Sequence, residues 1–431
     1  MANAVEKVNN IAIADIEAVN GITDANLQAL NGLEFTGSTT VTEAFPYSAE
    51  MASNQEAQRM DGAWLARSGV LNKVLISIND NPGTNSQYKL IVANMNGTSA
   101  PSIASTTNFP TAAHRHWNGC VSTDPNTANE AIIAWADNDD ALDGKCARIT
   151  VSASDESISF GSTVEFSSDA ASTIRIAHDK VEAGRFMIVW QDRGSGGGER
   201  RIYAIAGSTS GTTITLGSSV EVADPGYGCN ISADPNNARK CIVKWQDNDS
   251  PYYQSYRILT ADTSRNITQG TVASDDEGLY SIDSCGITFD HKTADKAHTI
   301  GQDRDNSHYP TLKGMTIDGT DITLGTKETA ESQAGVEGLN ITSDYFIANA
   351  GTFMRERGSG AEDIDKCFAW TVDGTDYTVG TALDLTGTGA SSRCAAVASP
   401  YTAGLHLMIY SEADSGDMDL TLSTMLLGGS Y

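Results

Sequence analysis

RFMIVWQD (residues 185–192), RIYAIAG (201–207) and TITLG (213–217) are three short runs, separated by stretches rich in Gly, Ser and Thr. The run TIRIAH (173–178) precedes them. Apolar or alternating runs of this length are typical of β-strands, and the residues between them are typical of turns. The four runs together predict one unit of four short antiparallel strands.

This unit recurs seven times along the chain. One apolar or small residue, followed two positions later by an acid, marks each copy: Ile78, Trp135, Trp190, Trp245, Gly301, Met354 and Tyr410. The intervals between markers are 57, 55, 55, 56, 53 and 56 residues. A fixed period of this size indicates a propeller or a solenoid, and four antiparallel strands per repeat are typical of a propeller blade.

The two ends of the repeat region favour closure into a ring. The seventh unit stops after three predicted strands, and LEFTGSTTVTEAF, which begins at Leu33, resembles the missing fourth strand, as in FGSTVEF and LGSSVEV. We therefore predict that residues 34–46 complete the last blade and cover two sheet edges. The fold class is all-β, with residues 34–431 forming a seven-bladed β-propeller of four-stranded blades.

Residues 1–33 follow a different pattern. VNNI, VNGI and LNGL recur every 11 residues, starting at 8, 19 and 30. Asp15 and Asp24 can start short helical turns, and Asn-Gly can end them. A piece this short cannot bury its own apolar residues. We predict a helical-turn extension that anchors the protein to a partner, or else a partly disordered lead-in; the anchoring residues would be Val8, Ile11, Val19, Ile22, Leu30 and Leu33.

The VNGI-type repeat followed by blades of the form IVWQD…ITLGSSVEV resembles structural proteins of tailed bacteriophages, such as tail, fibre or particle-surface proteins. The resemblance implies a virion protein that is assembled in the host cytoplasm and has no catalytic residues to carry over. It further implies that the N-terminal segment contacts other virion proteins and that the propeller is exposed to the host surface. A homo-oligomer is expected.

The net charge of −27, from 55 acidic and 28 basic residues, narrows the range of partners. Nucleic-acid binding needs a basic surface, so it is not expected. Anionic membranes are disfavoured for the same reason. No stretch of the sequence is apolar for long enough to predict insertion into a membrane.

One acidic loop resembles a calcium site in its ligand type. The sequence ADNDDALDG provides Asp137, Asp139 and Asp143, although it lacks the glycine and glutamate of an EF-hand loop. The marker acids recur in every unit, so we expect them to be structural carboxylates that accept N–H bonds at hairpin turns. No cofactor is predicted; if calcium binds anywhere, this loop is the best candidate.

Three functional classes are compatible with a propeller. We expect a non-enzymatic virion component, because acidic residues spread evenly through the repeats and arginines such as Arg175 and Arg257 are scattered. The alternatives are a sialidase-like or glycosidase-like enzyme, which needs paired carboxylates near the axis, and a lectin. For glycan contact the candidates are the loop tyrosines Tyr227, Tyr252, Tyr253 and Tyr309.

The N-terminal prediction can be checked by measuring solution mass with light scattering. We expect the full chain to form a trimer or larger assembly and residues 33–431 to be monomeric, because the removed apolar residues would make the contacts. Monomers in both cases would contradict an assembly role for this segment.

Overall fold

The computed structural model describes most of the repeat region and short parts of the N-terminal segment. The described residues are 7–8, 11–12, 18–19, 22–23, 29–30, 33–34, 41–47, 57–66, 72–80, 87–95, 102–109, 116–137, 140–193, 200–247, 252–277, 279–280, 286–332, 339–355, 366–374, 376–385, 395–414 and 417–427. Every helix or strand assigned within these ranges is a β-strand. No helix there is long and apolar enough to cross a membrane.

Seven antiparallel sheets follow one another along the chain, which confirms the predicted seven-bladed propeller. Their strands, in order, are as follows: blade 1, Ala57–Trp64, Asn72–Asp80, Gln87–Met95 and Ser102–Asn108; blade 2, His116–Thr123, Glu130–Asp137, Asp143–Val151, Ile158–Phe160 and Val164–Ser167; blade 3, Ala171–His178, Arg185–Asp192, Arg201–Ser210, Thr213–Leu216 and Val220–Ala223; blade 4, Gly226–Ala233, Lys240–Asp247, Gln254–Ala261, Ile267–Gln269 and Ala273–Ser274; blade 5, Leu279–Tyr280, Ile287–Phe289, Lys296–Asp303, Tyr309–Asp318 and Asp321–Thr329; blade 6, Leu339–Ser343, Ala350–Arg355, Lys366–Asp373, Asp376–Val379 and Leu383–Asp384; blade 7, Ala395–Ala398, Leu405–Asp414 and Asp417–Leu427.

Blade 7 receives its fourth strand from the N-terminal side of the chain. Val41–Tyr47 pairs antiparallel with Asp417–Leu427, with Tyr47 opposite Leu422. The predicted closure is therefore confirmed. The strand itself begins at Val41, and Leu33–Glu34 belongs to a separate hairpin.

Three two-residue hairpins form the described part of the N-terminal segment. Their strands are Lys7–Val8 with Ile11–Ala12, Ala18–Val19 with Ile22–Thr23, and Ala29–Leu30 with Leu33–Glu34. Strands, and not helical turns, thus flank each Asn-containing pair, which corrects this part of the prediction. The physical reason is that Asn-Gly also favours the two-residue turn of a β-hairpin. The helical turns predicted from Asp15 and Asp24 lie outside the described residues.

The six predicted anchoring residues fall at the paired ends of these hairpins. Val8 lies opposite Ile11, Val19 opposite Ile22, and Leu30 opposite Leu33. The 11-residue repeat therefore has a structural counterpart. Its role in anchoring stays a prediction.

The hydrophobic core is divided among the interfaces between neighbouring blades. Seven apolar clusters occur among the described residues, one at each interface. The cluster between blades 7 and 1 joins Leu407 and Ile409 to Val74 and Ile76. Apolar packing between blades 7 and 1 therefore closes the ring, together with the N-terminal strand that completes blade 7.

A buried carboxylate ties the first turn of most blades to the next blade, and Asp344 of blade 6 shows the arrangement. Its Oδ1 accepts the backbone N–H groups of Phe346 and Ile347, at 2.7 and 2.8 Å. Its Oδ2 accepts the N–H of Gly404 in blade 7 at 2.7 Å and lies 3.1 Å from Nε2 of His406. One side chain therefore shapes its own turn and binds the neighbouring sheet.

We call the corresponding residues the clamp carboxylates. Four of them accept a backbone N–H of the next blade at Oδ2: Asp124 from Gly184, Asp179 from Arg239, Asp290 from Asn349, and Asp344 from Gly404. The first turns share a residue with positive φ, five positions after the turn's own acidic or serine residue: Asn129, Gly184, Arg239, Asp295, Asn349 and Gly404. That conformation directs the amide of the residue toward the preceding blade.

The pKa of Asp344 is lowered in the folded protein. Burial by itself would raise it, but the hydrogen bond and charge of His406 and the amides of Phe346 and Ile347 outweigh burial. The folded state therefore gains stability from this carboxylate at neutral pH. That contribution is lost as the pH falls from about 4 through the lowered folded-state pKa.

Removal of a clamp carboxylate should destabilise the whole ring. We expect Asp344→Ala to lower the free energy of unfolding by roughly 3–5 kcal/mol, because several buried donors lose their acceptor. Asp321→Ala, at an exposed strand position, is the matched control and should change it by less than about 0.5 kcal/mol. Denaturant unfolding monitored by fluorescence measures both, and equal effects would contradict the clamp role.

Candidate functional site

The first strands of all seven blades surround an axial cavity of about 370 Å³. Each first strand runs toward the face of the propeller that carries the turns between first and second strands, which we call the first-turn face. The opposite face carries the loops that follow the marker acids, and we call it the marker-loop face. Residues from both the strands and the first turns line the cavity, so it reaches the first-turn face.

Polar side chains accept hydrogen bonds from some of the backbone N–H groups on the inner strands that surround this cavity. The Ser122 hydroxyl accepts the N–H of His178, and the Ser232 hydroxyl accepts the N–H of Phe289. The side-chain Oδ1 of Asn340 likewise accepts the N–H of Ala396 at 3.2 Å. Such bonds, each between one blade and the next, leave a lining rich in hydroxyl and amide groups.

The residue directly after the clamp position forms a ring at the opening, which we call the mouth ring. Six blades contribute this residue to the cavity lining, and blade 4 has Pro235 at the same position; the lining members are Ala66, Pro125, Lys180, His291, Tyr345 and Pro400. Blades 2, 4 and 7 thus have proline, whereas blades 3, 5 and 6 have a lysine, a histidine and a tyrosine. The blades therefore differ in residue type at the position where the cavity opens.

A second ring lies four residues before the clamp position and five before the mouth ring, about 16 Å deeper along the strands. We call it the deep ring, and its members are Asp61, Cys120, Arg175, Asn230, Gly286, Asn340 and Ala395. Burial raises the pKa of Asp61, while the charge of Arg175 and the amides of Val121 and Gly62 lower it. The pKa of the Cys120 thiol is also raised, by burial and by the charge of Asp61.

The mouth ring holds a cluster that crosses the axis. Nζ of Lys180 in blade 3 lies 3.4 Å from the Tyr345 hydroxyl in blade 6. The His291 ring of blade 5 stacks on the Tyr345 ring, with centroids 3.7 Å apart and an interplanar angle of 12°. The buried Nδ1 of His291 has no hydrogen-bond partner among the described residues. Tyr401, 40% exposed, lies beside the opening and donates its hydroxyl proton to the Leu65 carbonyl.

Both histidines near this opening are neutral at physiological pH. Burial, and then the nearby Lys180 charge, lower the pKa of His291 to about 3. Burial likewise lowers the pKa of His178 to about 4, against the opposing effect of Asp124. Positive charge at the opening therefore comes from lysine and not from imidazolium.

The predicted calcium loop contains a lysine between its acids. Nζ of Lys145 lies 2.8 Å from Oδ2 of Asp137 and 2.8 Å from Oδ2 of Asp140. Partial burial, Asp140 and Glu165 raise the pKa of Asp143, and Asp139 lies outside the described residues. No group of three or more acidic, His or Cys side chains suited to a metal ion occurs in the described part. Lys145 thus occupies the position that a cation would take beside Asp137.

The four predicted glycan-contact tyrosines all lie at the marker-loop face, away from the axial cavity. Tyr227, Tyr253 and Tyr309 are half-buried, and Tyr252 is 37% exposed. Arginines cover two of the rings: Arg200 lies 4.4 Å from the Tyr227 centroid and Arg304 lies 5.6 Å from that of Tyr252. The structure therefore separates them from the mouth ring, and their contact with glycan stays a prediction.

The marker acids have more varied roles than predicted. Asp303 accepts the N–H of Asp305 at 3.1 Å, as expected at a hairpin turn. Asp247 instead accepts hydrogen bonds from the side chains of Trp245 and Ser255. The recurrent turn acceptors are the clamp carboxylates. Sequence reasoning assigned these residues no function. It also missed the mouth ring, whose signal is that blades 2, 4 and 7 have proline after the clamp position and the other four blades do not.

Comparison with known proteins identifies the fold. No protein-family model and no curated protein matches the sequence. Among solved structures, the BP39L lectin of Burkholderia pseudomallei is similar with a TM-score of 0.60 and 12% identity, over 88% of this chain and 98% of the lectin. An Aleuria aurantia lectin matches with a TM-score of 0.45 and 13% identity, over 78% and 98% of the two chains. An α-L-arabinofuranosidase of Fusarium graminearum matches with a TM-score of 0.46 and 8% identity, over 88% and 97%. At these identities the likeness concerns the fold alone.

The prediction that this chain is not an enzyme is wrong as it was argued. It assumed that charged side chains are scattered, but the fold brings Asp61 and Arg175 into one ring and Lys180 and His291 into another. Similar solved structures also include a glycoside hydrolase beside lectins. The distribution of charged residues therefore does not exclude catalysis.

Substitution of Lys145, the lysine in the acidic loop, tests the calcium prediction directly. We expect calcium to leave the melting temperature of the native chain unchanged, because Lys145 neutralises Asp137 and Asp140. In Lys145→Met the carboxylates lose that cation, and millimolar calcium should raise the melting temperature by several degrees. Differential scanning calorimetry with and without chelator measures this, and stabilisation of the native chain by calcium would contradict the interpretation.

Proposed function

We propose that this protein binds saccharides and that they bind in the axial cavity at the first-turn face. The observation that carries this proposal is the cavity itself. Its volume of about 370 Å³ lies within the range of about 300–1,000 Å³ that is common for small-ligand sites. All seven blades contribute to the lining, which combines hydroxyl, amide, imidazole and phenol groups.

The chemistry of the lining suits a sugar. Sugar hydroxyls need many convergent hydrogen-bonding groups, and Ser122, Ser232, Thr342 and Asn230 provide such groups along the strands. An exposed aromatic ring can pack on the apolar face of a sugar ring, and Tyr401 presents one beside the opening. The fold that this chain shares with the Burkholderia lectin supports the proposal. Saccharide binding is common to a lectin and to a glycoside hydrolase, so it does not depend on which of the two this chain is.

The sequence resembles structural proteins of tailed phages, and we propose on that basis that the protein binds saccharides as part of a virion. In that setting the propeller would contact glycans of a host surface, and the three N-terminal hairpins would attach it to other virion proteins. The position of the cavity at one face supports such an exposed role. The solution-mass measurement on the truncated chain is its first test.

Two exposed tyrosines on opposite faces allow a matched test of where glycans bind. A glycan array first identifies binders, and titration calorimetry then compares Tyr401→Ala with Tyr252→Ala. We expect Tyr401→Ala to weaken binding about tenfold, which corresponds to about 1.4 kcal/mol of lost contact. Tyr252→Ala should leave the affinity unchanged. The reverse pattern would place the site at the marker-loop face and contradict the proposal.

A further inference from the structure

The axial cavity has a charge that is opposite to that of the whole protein. The chain has a net charge of −27, yet its cavity lining contains two cations, Arg175 and Lys180, and one acid, Asp61. Elsewhere in the described chain many cations bind carboxylates. Lys313, for example, bonds both Asp275 and Glu277 at 2.9 Å.

Lys180 and Arg175 have neutral partners instead. The one hydrogen bond of the Lys180 ammonium within the described residues is to the Tyr345 hydroxyl, at 3.4 Å. The Arg175 guanidinium donates to the carbonyl of Ile174. Neither forms an ion pair in the described part of the chain. An ammonium group has three N–H donors, so Lys180 keeps donors for a ligand.

The two cations differ in depth, and that difference decides which one faces a ligand. Arg175 lies in the deep ring with Asp61, whose pKa its charge lowers. Lys180 lies five residues further along the chain, about 16 Å higher, at the opening, where the residues that line the cavity include no acid. Its neighbours there are the Tyr345 hydroxyl and the buried, unpartnered Nδ1 of His291. Three polar groups from blades 3, 5 and 6 therefore converge around one ammonium group that forms no ion pair within the described residues.

We propose that the mouth ring binds the anionic group of an acidic saccharide, a sugar that carries a carboxylate or a sulfate ester. Lys180 provides the charge and donates to the anion, and the Tyr345 hydroxyl and His291 Nδ1–H donate to its remaining oxygens. The sugar ring then extends into the cavity toward the hydroxyl and amide groups of the first strands. This inference rests on the proposed saccharide binding and specifies the class of sugar.

The high negative charge of the whole protein favours a small anionic ligand over a long polyanion. A long polyanion would be repelled by a chain of net charge −27. A single anionic sugar needs only the local field of the opening, where low-dielectric walls strengthen the attraction to Lys180. The comparison of repeats also agrees, because lysine, histidine and tyrosine stand in blades 3, 5 and 6 at the position where blades 2, 4 and 7 have proline.

The test uses the full chain and an array of matched sugars that differ only in the anionic group. The pairs are uronic acids with their methyl esters and sulfated sugars with their unsulfated parents. Titration calorimetry then measures the best pair against the native chain, Lys180→Met, Lys180→Arg and Lys296→Met. Lys296 is the matched control, because it lies on the same face and bonds the Thr316 hydroxyl outside the cavity.

We expect the acidic member of the pair to bind at least tenfold more tightly than its neutral partner. Lys180→Met should remove that preference, Lys180→Arg should retain most of it, and Lys296→Met should not change it. The preference should also fall as ionic strength rises. Whether uronates or sulfated sugars give the larger preference identifies which anion the site accepts.

Two results would overturn this inference and leave the saccharide proposal standing. One is equal binding of acidic and neutral members that still depends on Tyr401. The other is an acidic preference that survives in Lys180→Met. A fall in the melting temperature of Lys180→Met without any loss of preference would show that the cluster only closes the axis. No binding to any sugar on the array would overturn the saccharide proposal itself.

Discussion

The buried carboxylate at the end of a blade's first strand is the interaction on which the rest of the structure depends. In Asp344 one oxygen holds the turn and the other holds the neighbouring blade through Gly404. Four blades make this bond to the next blade, and an apolar cluster fills each interface between neighbouring blades. The clamp also has a functional consequence, because the residue after it stands at the opening of the axial cavity. The same bonds that stabilise the propeller therefore position Lys180, His291 and Tyr345.

The period of the repeat was sufficient to predict blade number, strand number and ring closure. Closure could be predicted because residues 34–46 resemble the fourth strand of other blades, and Val41–Tyr47 does complete blade 7. The axial rings could not be predicted in the same way. Which residue faces the axis depends on strand register, and irregularities such as the shift between Ser172 and Arg175 change that register locally. The N-terminal hairpins were also missed, because Asn-Gly is compatible both with helix ends and with hairpin turns.

The comparison of repeats separates structural positions from candidate functional ones. Clamp carboxylates recur because every blade must contact its neighbour, and buried marker tryptophans such as Trp135 and Trp190 recur because every interface must be filled. A ligand that sits on the axis meets all blades at once and needs different groups from each. Functional residues of such a site are therefore expected where the repeat is broken, and the mouth ring is such a place. Even spacing of acids along the sequence was the wrong criterion, because the fold brings distant positions to one axis.

We propose that a saccharide occupies the axial cavity at the first-turn face. The most direct measurement is a crystal structure of the full chain with the tightest-binding glycan from an array. We expect density for the sugar on the axis, with an oxygen within hydrogen-bonding distance of Lys180 Nζ and a ring against Tyr401. Density between blades or over Tyr252 at the marker-loop face, with the axis free of sugar, would contradict it.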